Sequence, residues 1–177
     1  MRRLAPCLAL PLLLASPAAA AGPQVTDPAG DANALGVVTG APASQAPYDV
    51  TAVRWWADAS AQKVTLTFAD TPEQGRWVLS WATPTCEKQT LEYRSGSDWS
   101  YLAGCMPRQR RWPKPAVVSG RTLTFSIPRR DLPSWFAAGT TIRSLSVTSA
   151  PLTDFVVGQL HEVVDTAAAD VKYVVGS

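Results

Sequence analysis

Histidine is all but missing from this sequence. His161, in "GQLHEVVD", is the single one among 177 residues. That leaves little material for histidine-based metal or acid–base chemistry. A zinc helix of the H-E-x-x-H type is excluded, because "HEVVD" carries Asp165 where the second histidine would stand. A lone His161–Asp165 ligand pair is what survives of that idea. A Ser-His-Asp hydrolase needs its serine on a strained turn, and no G-x-S-x-G elbow occurs. Phosphate-binding loops and dinucleotide fingerprints are missing too. Glycoside hydrolysis needs two carboxylates in one cleft, and 14 scattered acids assign none. On its motifs the chain reads as a non-enzyme.

Long apolar runs are also lacking. The one at the start, "MRRLAPCLALPLLLASPAAAAGP", is shorter than the ~20 residues a spanning helix needs. It has the three parts of a secretory signal: Arg2 and Arg3, the apolar stretch from Leu4 to Ala15, and small-residue cleavage sites after Ala20 or Ala21. We therefore expect a signal peptide over 1–21, a single domain over 22–177, a secreted or extracellular location, and no transmembrane segment. About 155 residues suffice for one substantial core.

No excess of one charge remains either. The chain has 16 basic and 14 acidic residues, and loss of Arg2 and Arg3 leaves 14 of each. A formally neutral mature chain gives no reason to expect a nucleic-acid partner.

Cysteines number three, and Cys7 would leave with the signal. In an oxidising compartment the remaining Cys86 and Cys105 are expected to form a disulfide. The midpoint between them falls in "RSGSD", a hairpin turn flanked by the strand-like runs "QTLEYR" and "WSYLA". A bridge there would tie the open ends of one hairpin.

What the sequence does contain is period-two alternation. Val64, Leu66 and Phe68 share one face of "KVTLTFAD"; Trp77, Leu79 and Trp81 share one face of "RWVLSWAT"; Leu123, Phe125 and Ile127 do so in "RTLTFSIP". "TTIRSLSVT" aligns Ile142, Leu145 and Val147 with a less regular step, and "YDVTAVRWWAD" and "VKYVV" are further strands. Breakers such as "DASAQ", "DTPEQG", "VSG" and "SAPLTD" separate them. One helical turn is expected near "RRDLPSWFAAG", with Asp131 as its cap. The class this implies is all-β: one antiparallel β-sandwich, jelly-roll-like, with little helix.

Of the seven tryptophans, most belong to core or cross-strand packing. Trp112, between charged residues and prolines in "RQRRWPKP", is the candidate for an exposed ring, either a ligand-stacking platform beside Arg110 and Arg111 or a rigid loop anchor. From Met106 to Arg130 there are seven bases and no acid, whereas Gly22 to Cys105 has nine acids and five bases. The basic segment is either a patch for acidic polymers or a solvated loop facing the acidic surface of the same molecule.

The acidic loop "DPAGDANALG" offers Asp27, Asp31 and Asn33, and Asp49 follows in "PYDVTAV". Calcium takes six to eight oxygen ligands. An EF-hand is excluded, because Leu35 and Pro42 fall on positions that need oxygens. Any site must be assembled from separate loops, with Asp165 and Asp170 as further contributors; a tight turn without an ion is the alternative.

The runs "VTDPAGDAN", "YDVTAVRWWADASAQKVTLTFAD" and "VVDTAAADVKYVVGS" resemble secreted bacterial β-sandwich modules that open on a DPxGD motif, the CBM9/DOMON-like class that includes the C-terminal module of glucodextranase-type enzymes. The resemblance implies a jelly roll, a structural calcium at Asp27, Asp31 and Asp49, and attachment to a carbohydrate or cell-envelope (cell-wall) polymer. Ala32 stands where that pattern commonly has a second acid, one ligand fewer. A structural or protein-interaction domain with no small-molecule site is the competing expectation.

Overall fold

A computed structural model describes residues 22–32, 45–97, 100–104, 110–112, 116–132, 137–151 and 165–176, with the backbone alone at 100–101 and 110–112. The expected signal peptide, Asn33, Cys105 and His161 lie outside the described residues. Twelve strands are present among them: β1 (Val25–Thr26), β2 (Val50–Ala57), β3 (Ala61–Phe68), β4 (Gly75–Thr83), β5 (Cys86–Arg94), β6 (Ser100–Ala103), β7 (Arg110–Trp112), β8 (Val117–Ser119), β9 (Thr122–Pro128), β10 (Thr141–Pro151), β11 (Asp165–Ala169) and β12 (Tyr173–Val174). They form two antiparallel sheets. One has the order β1-β2-β3-β9-β8, the other β11-β10-β4-β5-β6-β7, with β12 also paired to β10. The two sheets pack face to face as an all-β sandwich. No helix among the described residues is long and apolar enough to cross a membrane.

Alternation in the sequence becomes alternation of burial. In β3 the pattern over Val64–Phe68 is buried, half-buried, buried, half-buried, buried, and Gly75–Thr83 alternates without a break. The buried members interdigitate between the sheets. Trp55 of β2 meets Trp81 of β4 edge-on at 5.2 Å, Phe68 meets Trp77 at 6.2 Å, and Tyr93 meets Phe125 at 6.2 Å. Each such ring pair adds about 0.5–1.5 kcal/mol beyond the area it buries. Gly75 opens β4 because a Cβ there would lie 2.8 Å from the Ala150 carbonyl oxygen.

One irregularity that the sequence shows, and two departures from its reading, have local causes. The irregular step in "TTIRSLSVT" is a break in the β10–β4 register between Arg143 and Ser146, with Ser144 at φ 48°. The turn near "RRDLPSW" is a single 3-10 turn, Arg129–Asp131, and Asp131 ends it rather than capping it; Pro128 precedes it with no side-chain cap. "VSG", read as a breaker, puts Val118 and Ser119 into β8, because Gly120 at φ 53° turns the chain straight back into β9.

Candidate cation site

The pairing of β1 with β2, Val25 against Val53 and Thr26 against Ala52, fixes where the acidic loop goes. The chain leaving β1 runs toward the start of β2, and the Asp27 N–H donates to the Thr51 carbonyl at 3.0 Å. Gly30, at φ 93°, then turns the loop so that its N–H donates to the Asp49 carboxylate. A positive φ of this kind is routine only for glycine. Asp49, just before β2, is itself held by backbone bonds from its N–H to the Gln45 carbonyl and from the Ala69 N–H to its own carbonyl.

The fourth acid comes from the other sheet. β1 and β11 are edge strands of their respective sheets, and Asp165 opens β11. Its Oδ2 accepts the Val50 N–H at 2.7 Å. One carboxylate oxygen from each of Asp27, Asp31 and Asp165 lies within 4.8 Å of the others. Asp49 and Asp165 are buried, Asp27 is half-buried, and Asp31 is exposed.

Electrostatically this arrangement is costly without a counter-charge. Burial, then repulsion from Asp27, Asp49 and Asp31, pushes the Asp165 carboxyl up to about 6 against the Val50 hydrogen bond. Burial, then Asp31 and Asp49, raises Asp27 as well. No ion pair among the described residues involves Asp27, Asp49 or Asp165. Two buried oxygens there lack a hydrogen-bond partner: Asp49 Oδ1, and Oγ of Ser149, whose Cα pairs with that of Asp165. Such oxygens cost about 1–3 kcal/mol each when left unmet.

The donor set is all oxygen, and no described cysteine or histidine belongs to it. It therefore suits a hard cation, and the number of carboxylates suits calcium. Asp27, Asp31 and Asp165 would hold it, with Asp49 and Ser149 beside them. The ion would neutralise the crowded carboxylates and fasten the edges of the two sheets together.

Asp27, Asp31 and Asp49 were legible as candidates in the sequence; the fold gathers Asp27 and Asp31 and leaves Asp49 beside them, outside the group within 4.8 Å. Asp165, a further contributor by sequence, joins them. Asp170 does not: it lies past the other end of β11 and accepts a hydrogen bond from Ser144 Oγ at 3.2 Å. Ser149 has no sequence signal at all; only the β10–β11 register points to it.

The candidate ligand-binding residues Arg110, Arg111 and Trp112 form β7, the far edge of the second sheet. Register divides them. Trp112 lies opposite Ser100, and Arg110 opposite Leu102, in line with the buried Tyr93 and Leu91 on β5. Arg111 lies opposite Tyr101 and in line with Glu92, on the outer-face row. Among the other tryptophans, Trp55, Trp77 and Trp81 are core residues. Trp56 is half-buried on the outer face, where its Nε1 donates to Thr65 Oγ1.

Fold and site together define an antiparallel β-sandwich with an acidic cluster at one edge. No protein-family model, curated protein or solved structure matches the chain.

Proposed function

We propose that the chain is an exported, non-enzymatic binding module for a carbohydrate or cell-envelope polymer, with a structural calcium at one edge of its sandwich. The observation that carries the calcium is the carboxylate trio of Asp27, Asp31 and Asp165, with the partnerless buried Asp49 oxygen close by. Extracellular calcium modules work at about 10⁻⁴–10⁻³ M affinity, which suits an ion that stays bound outside the cell. The binding role draws on the resemblance of "DPAGD" and its following strand to secreted sugar-binding-like modules, and the export reading brings the Cys86–Cys105 bridge with it. The test is a pull-down of the secreted protein on purified glycans and isolated cell envelopes, with calcium and with EDTA. Enrichment on a polymer, weakened by EDTA, is the expected result. No enrichment on any of them overturns the reading.

One observation favours the competing role of a protein-interaction domain. Val117 and Val118 are exposed by 64% and 46% on the edge strand β8, and apolar edge strands invite a partner strand.

A further inference from the structure

A second concentration of polar groups lies on the outer face of the five-stranded sheet, on elements separate from the carboxylates. Register aligns Trp56, Lys63 and Ser126 in one row and Arg54, Thr65 and Thr124 in the next. Beside them opens a groove of about 460 Å³ lined by Ser60, Ala61, Lys63, Ser126, Pro128 and Arg130.

Trp56 does not serve this groove as a stacking surface. Lys63 Nζ stands 4.6 Å from its ring centroid and the Arg54 guanidinium 5.6 Å from it. A ring already facing two cations holds their charge in place and is a poor platform for a neutral sugar. The cations also have unused capacity. Asp58 pairs with Lys63 through Oδ2, but its Oδ1 is taken by the Ser60 N–H, the Ser60 hydroxyl and the Ala61 N–H. The Arg130 side chain is 88% exposed and meets Asp131 only at 3.8 Å. Arg54 Nε is buried with no hydrogen-bond partner. Of the six residues lining the groove, Lys63 and Arg130 are cations and none is an acid.

We propose that this groove binds an anionic group carried on a saccharide, with Lys63 and Arg130 meeting the charge and the Ser60 and Ser126 oxygens meeting adjacent sugar hydroxyls. The proposal rests on the reading of the chain as a polymer-binding module and narrows that polymer to an acidic one. Carboxylate and phosphate share the chemistry, so each has its own arm in the test.

The experiment is calorimetric titration of the calcium-loaded secreted protein with trigalacturonate, a ribitol-phosphate trimer and neutral maltotriose. Binding of either acidic trimer, at least tenfold weaker in 500 mM than in 50 mM salt, supports the proposal and names the source of the charge. Arg130→Ser and Lys63→Gln should each weaken it at least fivefold. Arg130→Ser should melt like the wild type, so its loss would not be one of folding. Equal affinity for maltotriose, unchanged affinity in both variants, or no binding of either acidic trimer overturns the proposal. The envelope pull-down reports separately: a positive pull-down with a silent groove removes only this site, whereas a negative pull-down removes the binding reading itself.

Discussion

The Asp165 carboxylate accepts the backbone N–H of Val50 at 2.7 Å, across 115 residues of sequence and from one sheet of the sandwich to the other. It closes the edge at which β1 and β11 meet, and it aims a buried charge at Asp27, Asp31 and Asp49. The stability of that edge thus depends on what neutralises four carboxylates.

Calcium removal should therefore be visible in a melting curve. At about 100 times its dissociation constant, a bound ion adds about 2.7 kcal/mol, or about 5–10 °C for a domain of this size. EDTA should lower the wild-type melting temperature by that amount and leave Asp31→Ala unmoved. Asp31 is exposed, so this variant keeps its fold. Equal responses in the two proteins would exclude the site.

Asp165→Asn should change sign with the ion. In calcium it removes a ligand and should melt below the wild type. In EDTA it removes the charge that burial and three neighbouring aspartates oppose while an amide oxygen still accepts the Val50 N–H. There it should melt at or above the wild type. Scanning calorimetry of both proteins in both buffers gives the answer, and a deficit of the same size in both would mean a packing role alone.

The hairpin of β5 and β6 ends its ladder at Thr90 against Ala103. That is four residues from Cys86 on one strand and two from Cys105 on the other. If the two are bridged, alkylation of the unreduced, unfolded secreted protein should label neither. Cys86→Ser should then cost about 2–4 kcal/mol, near the ~3 kcal/mol expected for closing a loop of this length. Stoichiometric labelling of the unreduced protein would rule the bridge out.

Glu92 on β5 receives Arg76 through two bonds, at 2.8 and 3.0 Å, and Arg94 at 2.9 Å. The Arg76 bonds above all hold its carboxyl below the ordinary glutamate range, against partial burial. A depressed folded-state pKa contributes stability above the unfolded value of ~4.3 and loses it as pH falls through the folded value. Solvent screens the cluster, so Glu92→Gln should cost only about 0.5–1 kcal/mol at pH 7. Urea titrations at pH 7 and pH 3 should show that deficit shrinking at the lower pH; a constant deficit would exclude the ion pairs as its source.

How far the sequence could be read is clearest in particular residues. Trp77, Leu79 and Trp81 announce a buried face because side chains of a strand alternate sides. The period alone gives the strand and its inward residues, and β2, β3, β4, β9 and β10 were all legible this way. Of the short strands, β6 falls in "WSYLA" and β12 in "VKYVV", both read as strands, whereas β1, β7 and β8 were not read. Val25–Thr26 and Arg110–Trp112 are too brief to show a period, and they are strands only because a longer neighbour offers them hydrogen bonds. Adjacent Arg111 and Trp112 look equivalent along the chain, yet register puts them on opposite faces of β7. The acidic loop divides in the same way. Asp27, Asp31 and Gly30 mark a turn rich in carboxylates, and the sequence offers Asp49, Asp165 and Asp170 as further candidates without choosing among them. That Asp165 joins them, with Asp49 and Ser149 beside it and Asp170 left out, was decided by the sandwich alone, because pairing β1 with β2 and laying β11 across the same edge brings Asp165 to oxygens more than 100 residues away.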